Sequence, residues 1–444
     1  MPSVIRFRIY AVSLVFLAAL YYLLFHARQD AFAQITIGYS ISFLTAALLS
    51  FHLPLTIKET SFVAALGTVM ATLSFPALSD DVYRFLWDGN LIVDGIDPLK
   101  YTPAELSLKL SYPPYNELFP LLNSKNYHTV YPPISQLIFV LAILAAKWGL
   151  SSVFVMKAIY AATHLLGLAA ITQCLKREHR SRILTFYGLN PLVIIEGIGN
   201  LHAEVVMVAF LFVAFWFYKK NKIIASALCF SLAVAVKLLP LMFLPLLWRL
   251  SKDKGRWMTY VLFFSGLIFI PFLWIFYAGG FVDSLDLYFR KFEFNAGLYY
   301  VLRWVGKIIT GYNLIQWLGP SLALLALLAI LNVSWKSRWL ALRNFTVPEL
   351  GLGVLMFYLF SLTTLHPWYL ILPLAVSAFT QFRFLWIWSY LISWTYIFYD
   401  GGQNRENYGV IALEYSLVLI LIWWEWRIHK TKKSDPESES PFLI

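Results

Sequence analysis

Ser79–Gly89 reads SDDVYRFLWDG and opens a polar, Pro- and Tyr-rich stretch, residues 79–130, in a chain that is otherwise almost continuously apolar. Asp80 and Asp81 stand side by side at the end of a hydrophobic run, with Arg84, Trp87 and Asp88 close behind. Charges at a membrane surface are costly to keep without a use. The stretch therefore reads as the reactive loop of a protein embedded in a bilayer.

The composition around it excludes a soluble fold. Hydrophobic residues make up 60% of the chain and charged residues 13%, against about 25% in ordinary globular chains, and mean hydropathy is +0.67. Apolar runs at 9–25, 33–51, 62–78, 153–175, 183–198, 205–218, 260–277, 322–333, 352–362 and 408–424 reach or approach the roughly 20 residues of a spanning helix. The expectation is an all-α, polytopic membrane helix bundle with about a dozen crossings over residues 1–428. Interfacial or re-entrant helices fall in the long loop, and a polar, disordered tail covers 429–444. The first apolar run follows Arg6 and Arg8 and lacks a small-residue cleavage site, so it reads as a retained helix. Cys174 and Cys229 have no metal-ligand spacing and read as core residues.

The net charge of +11 is not the footprint of nucleic-acid binding, because the basic residues cluster in short loops. These are Lys176–Arg182, Lys219–Lys222, Arg249–Arg256 with Lys252, Lys336–Arg343 with Arg338, and Arg427–Lys433. Such clusters mark cytoplasmic loops. They place both termini in the cytoplasm and 79–130 on the outer face, provided that Tyr131–Leu150 lies in the interface or re-enters and that Ile223–Leu250 is a hairpin broken at Lys237. The polar islands Gly199–Glu204, Gly279–Gln316, Thr363–Tyr369 and Asp400–Asn407 then share that outer face. No internal repeat is evident, which weakens a transporter of duplicated halves.

Each polar group has a chemical reading and a plainer one. Asp80 and Asp81 suit a general base with a neighbouring carboxylate that tunes its proton affinity or binds an acceptor or a metal. Alternatively Ser79 and Asp80 cap a helix carrying an Asp81–Arg84 pair. Tyr101 and Tyr131, with Pro neighbours, suit stacking on sugar faces but are also ordinary interface residues. Asn200, His202 and Glu204 form either a substrate patch or an N-cap with a favourable acid. His366-Pro367-Trp368-Tyr369 divides in the same way, with Pro367 at a helix start. Lys237 lies between apolar runs, where a charge is functional by default. Arg290, Lys291 and Arg303 defy the cytoplasmic bias and suit a phosphate-bearing ligand, unless they bind lipid headgroups.

SDDVYRFLWDGNLIVDGIDPLKYTP, followed by TVYPPISQ, GLNPLVIIEGIGNLHAE, AVAVKLLPLMFLP and LHPWYLILPL, resembles the GT-C glycosyltransferases over about residues 60–380. The likeness is nearest to their bacterial and archaeal mannosyltransferase-like branches. The resemblance implies a polyprenyl- or dolichyl-phosphate sugar as donor, a glycan or glycolipid acceptor, and an acidic base in the first long outer loop. That base position matches Asp80, with Asp81 second. The second acid is Asp rather than the family's usual Glu, so the choice between the two stays open. The expected activity is transfer of a hexose, mannose first, with inversion, no required cofactor, and a divalent metal left open. A flippase or transporter of lipid-linked sugars, using Glu196, Glu204 and Lys237 as a path, is the rival reading. A membrane acyltransferase would need a buried His and not the acidic pair.

Overall fold

The computed structural model describes residues 3–250, 253–336 and 345–434. Lys252, Arg338, Arg343 and residues 435–444 of the tail lie outside the described residues. What is described is helical, and no named strand occurs in it. The order is α1 (Ser3–Phe25), α2 (Phe32–Ala47), α3 (Ile57–Leu73), α4 (Asp81–Val93), the short α5 (Pro103–Ser107) and α6 (Tyr115–Leu118), α7 (Pro133–Ala146), α8 (Ser152–Cys174), α9 (Arg177–Ile183), α10 (Glu204–Lys219) and α11 (Ile223–Val236). Then follow α12 (Leu244–Leu250), α13 (Lys254–Ala278), α14 (Gly280–Arg290), α15 (Gly297–Thr310), α16 (Ile315–Lys336), α17 (Val347–Ser361), α18 (Ile371–Ser377), α19 (Phe384–Leu391) and α20 (Tyr408–Ser434). Residues 429–434, assigned to the tail from the sequence, end α20 as helix.

Two compact units emerge: residues 1–29, 37–240 and 258–287 form the first, and 30–36, 241–257 and 288–444 the second. In the first, α10 packs on α8 and α11, α7 packs on α4 and α8, and α3 packs on α8. Two glycines allow close helix crossings. A Cβ on Gly167 would lie 2.7 Å from Ala209 Cα, and one on Gly89 3.0 Å from the Phe139 backbone, so α8–α10 and α4–α7 cross at backbone contact. In the second unit, α16 packs on α12, α15 and α17, and α17 on α18.

Local chemistry explains the helix starts. Thr56 with Glu59, Thr102 with Glu105 and Thr346 with Glu349 form capping boxes at α3, α5 and α17. Pro133 and Pro367 open their helical segments where the missing N–H costs nothing.

Among the described residues, five helices are long and apolar enough to cross a bilayer, and up to seven if two bent pairs count as one span each. The remaining apolar helices are shorter. One is α7, whose 14 residues extend roughly 21 Å at 1.5 Å per residue, short of the roughly 30 Å hydrocarbon core. The backbone leaves helix at Lys237, which is extended at φ −158° and ψ 135°, so the 223–250 run is broken where the charge sits. Residues 183–199 depart from expectation in another way. Leu184–Gly188 and Val193–Gly199 are π-helical and wholly buried, a form that recurs at functional sites. A 104° bend then separates Val193–Gly199 from α10.

Candidate functional site

The first unit gathers the acidic pair and the Gly199–Glu204 island around the start of α4. Asp80 occupies the cap position of α4, yet its side chain makes no capping hydrogen bond. Its carboxylate is exposed. The capping function expected of it is thus unused. Asp81 is half-buried, accepts from Asn123 Nδ2 at 3.1 Å, and has its Oδ2 4.0 Å from His202 Nε2. Burial pushes the Asp81 carboxyl above the usual range, reinforced by Asp80 and Glu204; the Asn123 hydrogen bond and Lys237 pull the other way. Asp80 reaches the surface, but the protein around it withholds enough water to push its carboxyl up as well.

Leu201 makes the island possible. It is fully buried with φ 62°, a left-handed conformation that costs a branched residue about 1–3 kcal/mol. The turn aims three polar side chains into the unit. Asn200 is not the N-cap of α10, a position held by Ala203. Instead its Oδ1 accepts the Leu78 N–H at 3.2 Å, which anchors the chain just before Ser79, and its Nδ2 donates to Glu196 Oε2 at 3.2 Å. His202 Nδ1 lies 2.9 Å from the Glu196 carbonyl oxygen, which accepts a proton carried there, and Nε2 is the ring nitrogen that faces Asp81. Glu196 also accepts from Tyr39 OH at 2.8 Å. Glu204 pairs with Lys237, and Ser135 Oγ donates to Val236 O at 3.1 Å, fixing the chain beside that lysine.

Arg84, Trp87 and Asp88, read from the sequence as substrate contacts, face the interior. Arg84 is 3% and Asp88 0% exposed. The pair bonds at 2.8 Å from Nε to Oδ1, so Arg84 joins Asp88 one helical turn on and not Asp81. Its Nη1 donates to the carbonyls of Ser124 at 3.1 Å and Tyr127 at 2.9 Å. Gln136 Nε2 donates to Asp88 Oδ2 at 3.1 Å and to Thr129 Oγ1 at 3.1 Å. Trp87 packs edge-on to Tyr115, ring centroids 5.1 Å apart. These residues hold the 79–130 stretch on α4 and α7. Tyr131 packs against Phe85 and Phe139, whereas Tyr101 is exposed.

The other sequence-selected residues belong to the second unit. Arg303 bonds Glu293 and donates to Tyr408 OH at 3.0 Å, with Tyr300 and Tyr408 ring centroids 4.5 and 5.4 Å from its guanidinium. That side chain is committed within its own unit. Arg290 and Lys291 are exposed. His366 is sandwiched between Phe294 at 4.7 Å and Trp368 at 4.4 Å, with Tyr369 edge-on at 5.7 Å. Backbone bonds Phe294 N–H to Thr363 O (3.0 Å) and Leu365 N–H to Phe294 O (2.8 Å) join two of the expected polar islands. The Asn295 N–H to Glu406 Oε1 bond at 2.9 Å brings in a third.

Sequence reasoning missed several positioning groups. Lys157, fully buried in α8, donates to Ala71 O, Ser74 O and Ser74 Oγ at 3.0, 2.7 and 2.9 Å. It caps the end of α3 just ahead of the acidic pair. As a lysine inside an apolar run it carried the signal that singled out Lys237. Asn123 and Tyr39 carried none. Among the described residues no three His, Cys, Asp or Glu side chains come together as a metal site.

The cluster is therefore an accessible carboxylate beside a second, desolvated one, backed by an oriented imidazole. Such a group can take a proton from a hydroxyl. No curated protein and no solved structure matches the chain. A family model does: residues 17–253, more than half the chain and including the whole acidic cluster, match the MptA_B family, described as alpha-(1->6)-mannopyranosyltransferase, N-terminal domain. The chain belongs to this family and is a mannosyltransferase of the GT-C type.

Proposed function

We propose that the protein transfers mannose from a polyprenyl-phosphate sugar to a hydroxyl of a glycan or glycolipid, with inversion, at the outer membrane face. The observation that carries this reading is the Asp80 carboxylate, exposed and unspent at the cap of α4 beside an Asp81 held by Asn123. Asp80 takes the proton of the acceptor hydroxyl as its oxygen bonds to the anomeric carbon. The bond from that carbon to the lipid phosphate breaks with the electron pair leaving on the phosphate. Asp81 and His202 orient the acceptor, and no covalent intermediate forms. Lys291, Arg290 and His366 are the proposed phosphate contacts. The basic loops support cytoplasmic termini and an outer site. The rival transport path is disfavoured because Glu204 and Lys237 satisfy one another and Glu196 is engaged by Tyr39 and Asn200.

A donor panel tests the reading: the detergent-purified chain with polyprenyl-phosphate mannose, polyprenyl-phosphate glucose and a nucleotide-linked mannose. Transfer from the first alone is the expected result; transfer only from the nucleotide sugar refutes the donor assignment.

The acid limb of the pH–rate profile carries a second expectation. A base works only when ionised, and both carboxyls are pushed up by burial. Activity should therefore rise through an apparent pKa above the ordinary value of about 3.9. A limb at the ordinary value would contradict the base assignment.

The cations separate by environment. A charge-assisted hydrogen bond to phosphate contributes about 1.5–3 kcal/mol, so Arg290→Ala or Lys291→Ala should raise donor KM by roughly tenfold or more in at least one case. Arg303→Ala should instead lower thermal stability with a smaller effect on donor KM. Unchanged donor KM in both exposed-cation variants would assign them to lipid headgroups.

A further inference from the structure

The proposed base stands at the end of a connector that three separate parts of the first unit hold by their side chains. Residues 74–80 link α3 to α4 without helix. At the α3 end, wholly buried Lys157 spends its three N–H donors on Ala71 O, Ser74 O and Ser74 Oγ. Further on, both backbone groups of Leu78 are taken. Its N–H donates to Asn200 Oδ1 and its carbonyl accepts from Gln29 Nε2, each at 3.2 Å. Ser79 Oγ then accepts the Asp81 N–H at 3.3 Å. Pro76, between the two anchor points, has its φ fixed by its ring.

A helix cap alone does not account for these bonds. Capping α3 needs only the first anchor, and a glycine does that at lower cost than a buried ammonium. The second anchor lies outside any helix and closes on the residue two positions before Asp80. A connector with a free backbone lets its carboxylate drift, whereas a general base must stay within hydrogen-bond reach of the proton it takes. We propose that Lys157, Gln29 and Asn200 are positioning residues. Together they clamp residues 74–80 in one conformation and so preorganise the Asp80 carboxylate, without themselves touching substrate. The positioning role rests on Asp80 as the base in the mannosyl-transfer reading above.

The test takes two readouts on the full chain in neutral detergent: hydrogen exchange of a peptide covering residues 75–81, and steady-state kinetics. Lys157→Met removes the first anchor and Gln29→Leu half of the second. Gln29 is half-buried and outside any helix, so its variant carries the test if loss of the buried lysine unfolds the chain. Either change should speed exchange by about tenfold or more. A catalytic group misplaced by about 1 Å costs on the order of 10²-fold, so kcat should fall by at least about tenfold while donor and acceptor KM hold. In an Asp80→Asn background the same changes should cost nothing further, since they act through Asp80. Unchanged exchange, or faster exchange with unchanged kcat, overturns the proposal, as does an equal loss of kcat in both backgrounds. Faster exchange in a protein whose turnover does not depend on Asp80 would refute the proposed base and leave the clamp standing.

Discussion

Asp80→Asn is expected to lower turnover by about 10²–10⁴-fold, the usual contribution of a positioned general base, with donor binding and thermal stability unchanged. Stability should hold because the Asp80 carboxylate is exposed and makes no cap bond; surface changes of this kind stay within about 0.5 kcal/mol. Asp81→Asn differs. It disturbs the Asn123 bond and the approach of His202, so it should raise acceptor KM as well as lower turnover. The comparison is made by steady-state kinetics on both variants beside their thermal unfolding. An Asp80→Asn protein with near-normal turnover would exclude it as the base, and near-normal turnover in both variants would exclude the loop.

The largest stability effect is expected at Arg84. Removing one partner of a buried ion pair strands the other and costs about 3–5 kcal/mol. Both Arg84 and Asp88 are almost wholly buried, and Arg84 also carries the Ser124 and Tyr127 carbonyls. Arg84→Met should therefore lower the midpoint of thermal unfolding on the order of 10 °C and expose the 124–129 segment to protease. Arg84→Met with Asp88→Leu removes the stranded charge and should recover part of that loss. Equal midpoints for the single and double variants would show that the charge pairing is not what holds the stretch.

Part of this arrangement is legible in the sequence. Apolar run lengths marked the helices, and the polar interruption at 79–130 marked the acidic pair. The π-helical turns at 184–188 and 193–199 left no compositional trace, because an i to i+5 bond uses the same apolar residues as an α-helix. The 104° bend hung on a positive φ at Leu201, a residue type that gives no warning of one. Long-range polar bonds were equally silent. Tyr39 reaches Glu196 and Asn123 reaches Asp81 across the fold, and nothing local in either segment specifies the partner. Arg84 shows the other failure: three acids lay within four residues of it, and it is buried with Asp88.

The most direct measurement is the anomeric configuration of the product formed from a β-linked polyprenyl-phosphate mannose, read by NMR for the wild type and for Asp80→Asn. Single displacement with Asp80 as base requires an α-linked product from the wild type and almost none from the variant. A β-linked product, or an undiminished yield from Asp80→Asn, would contradict it.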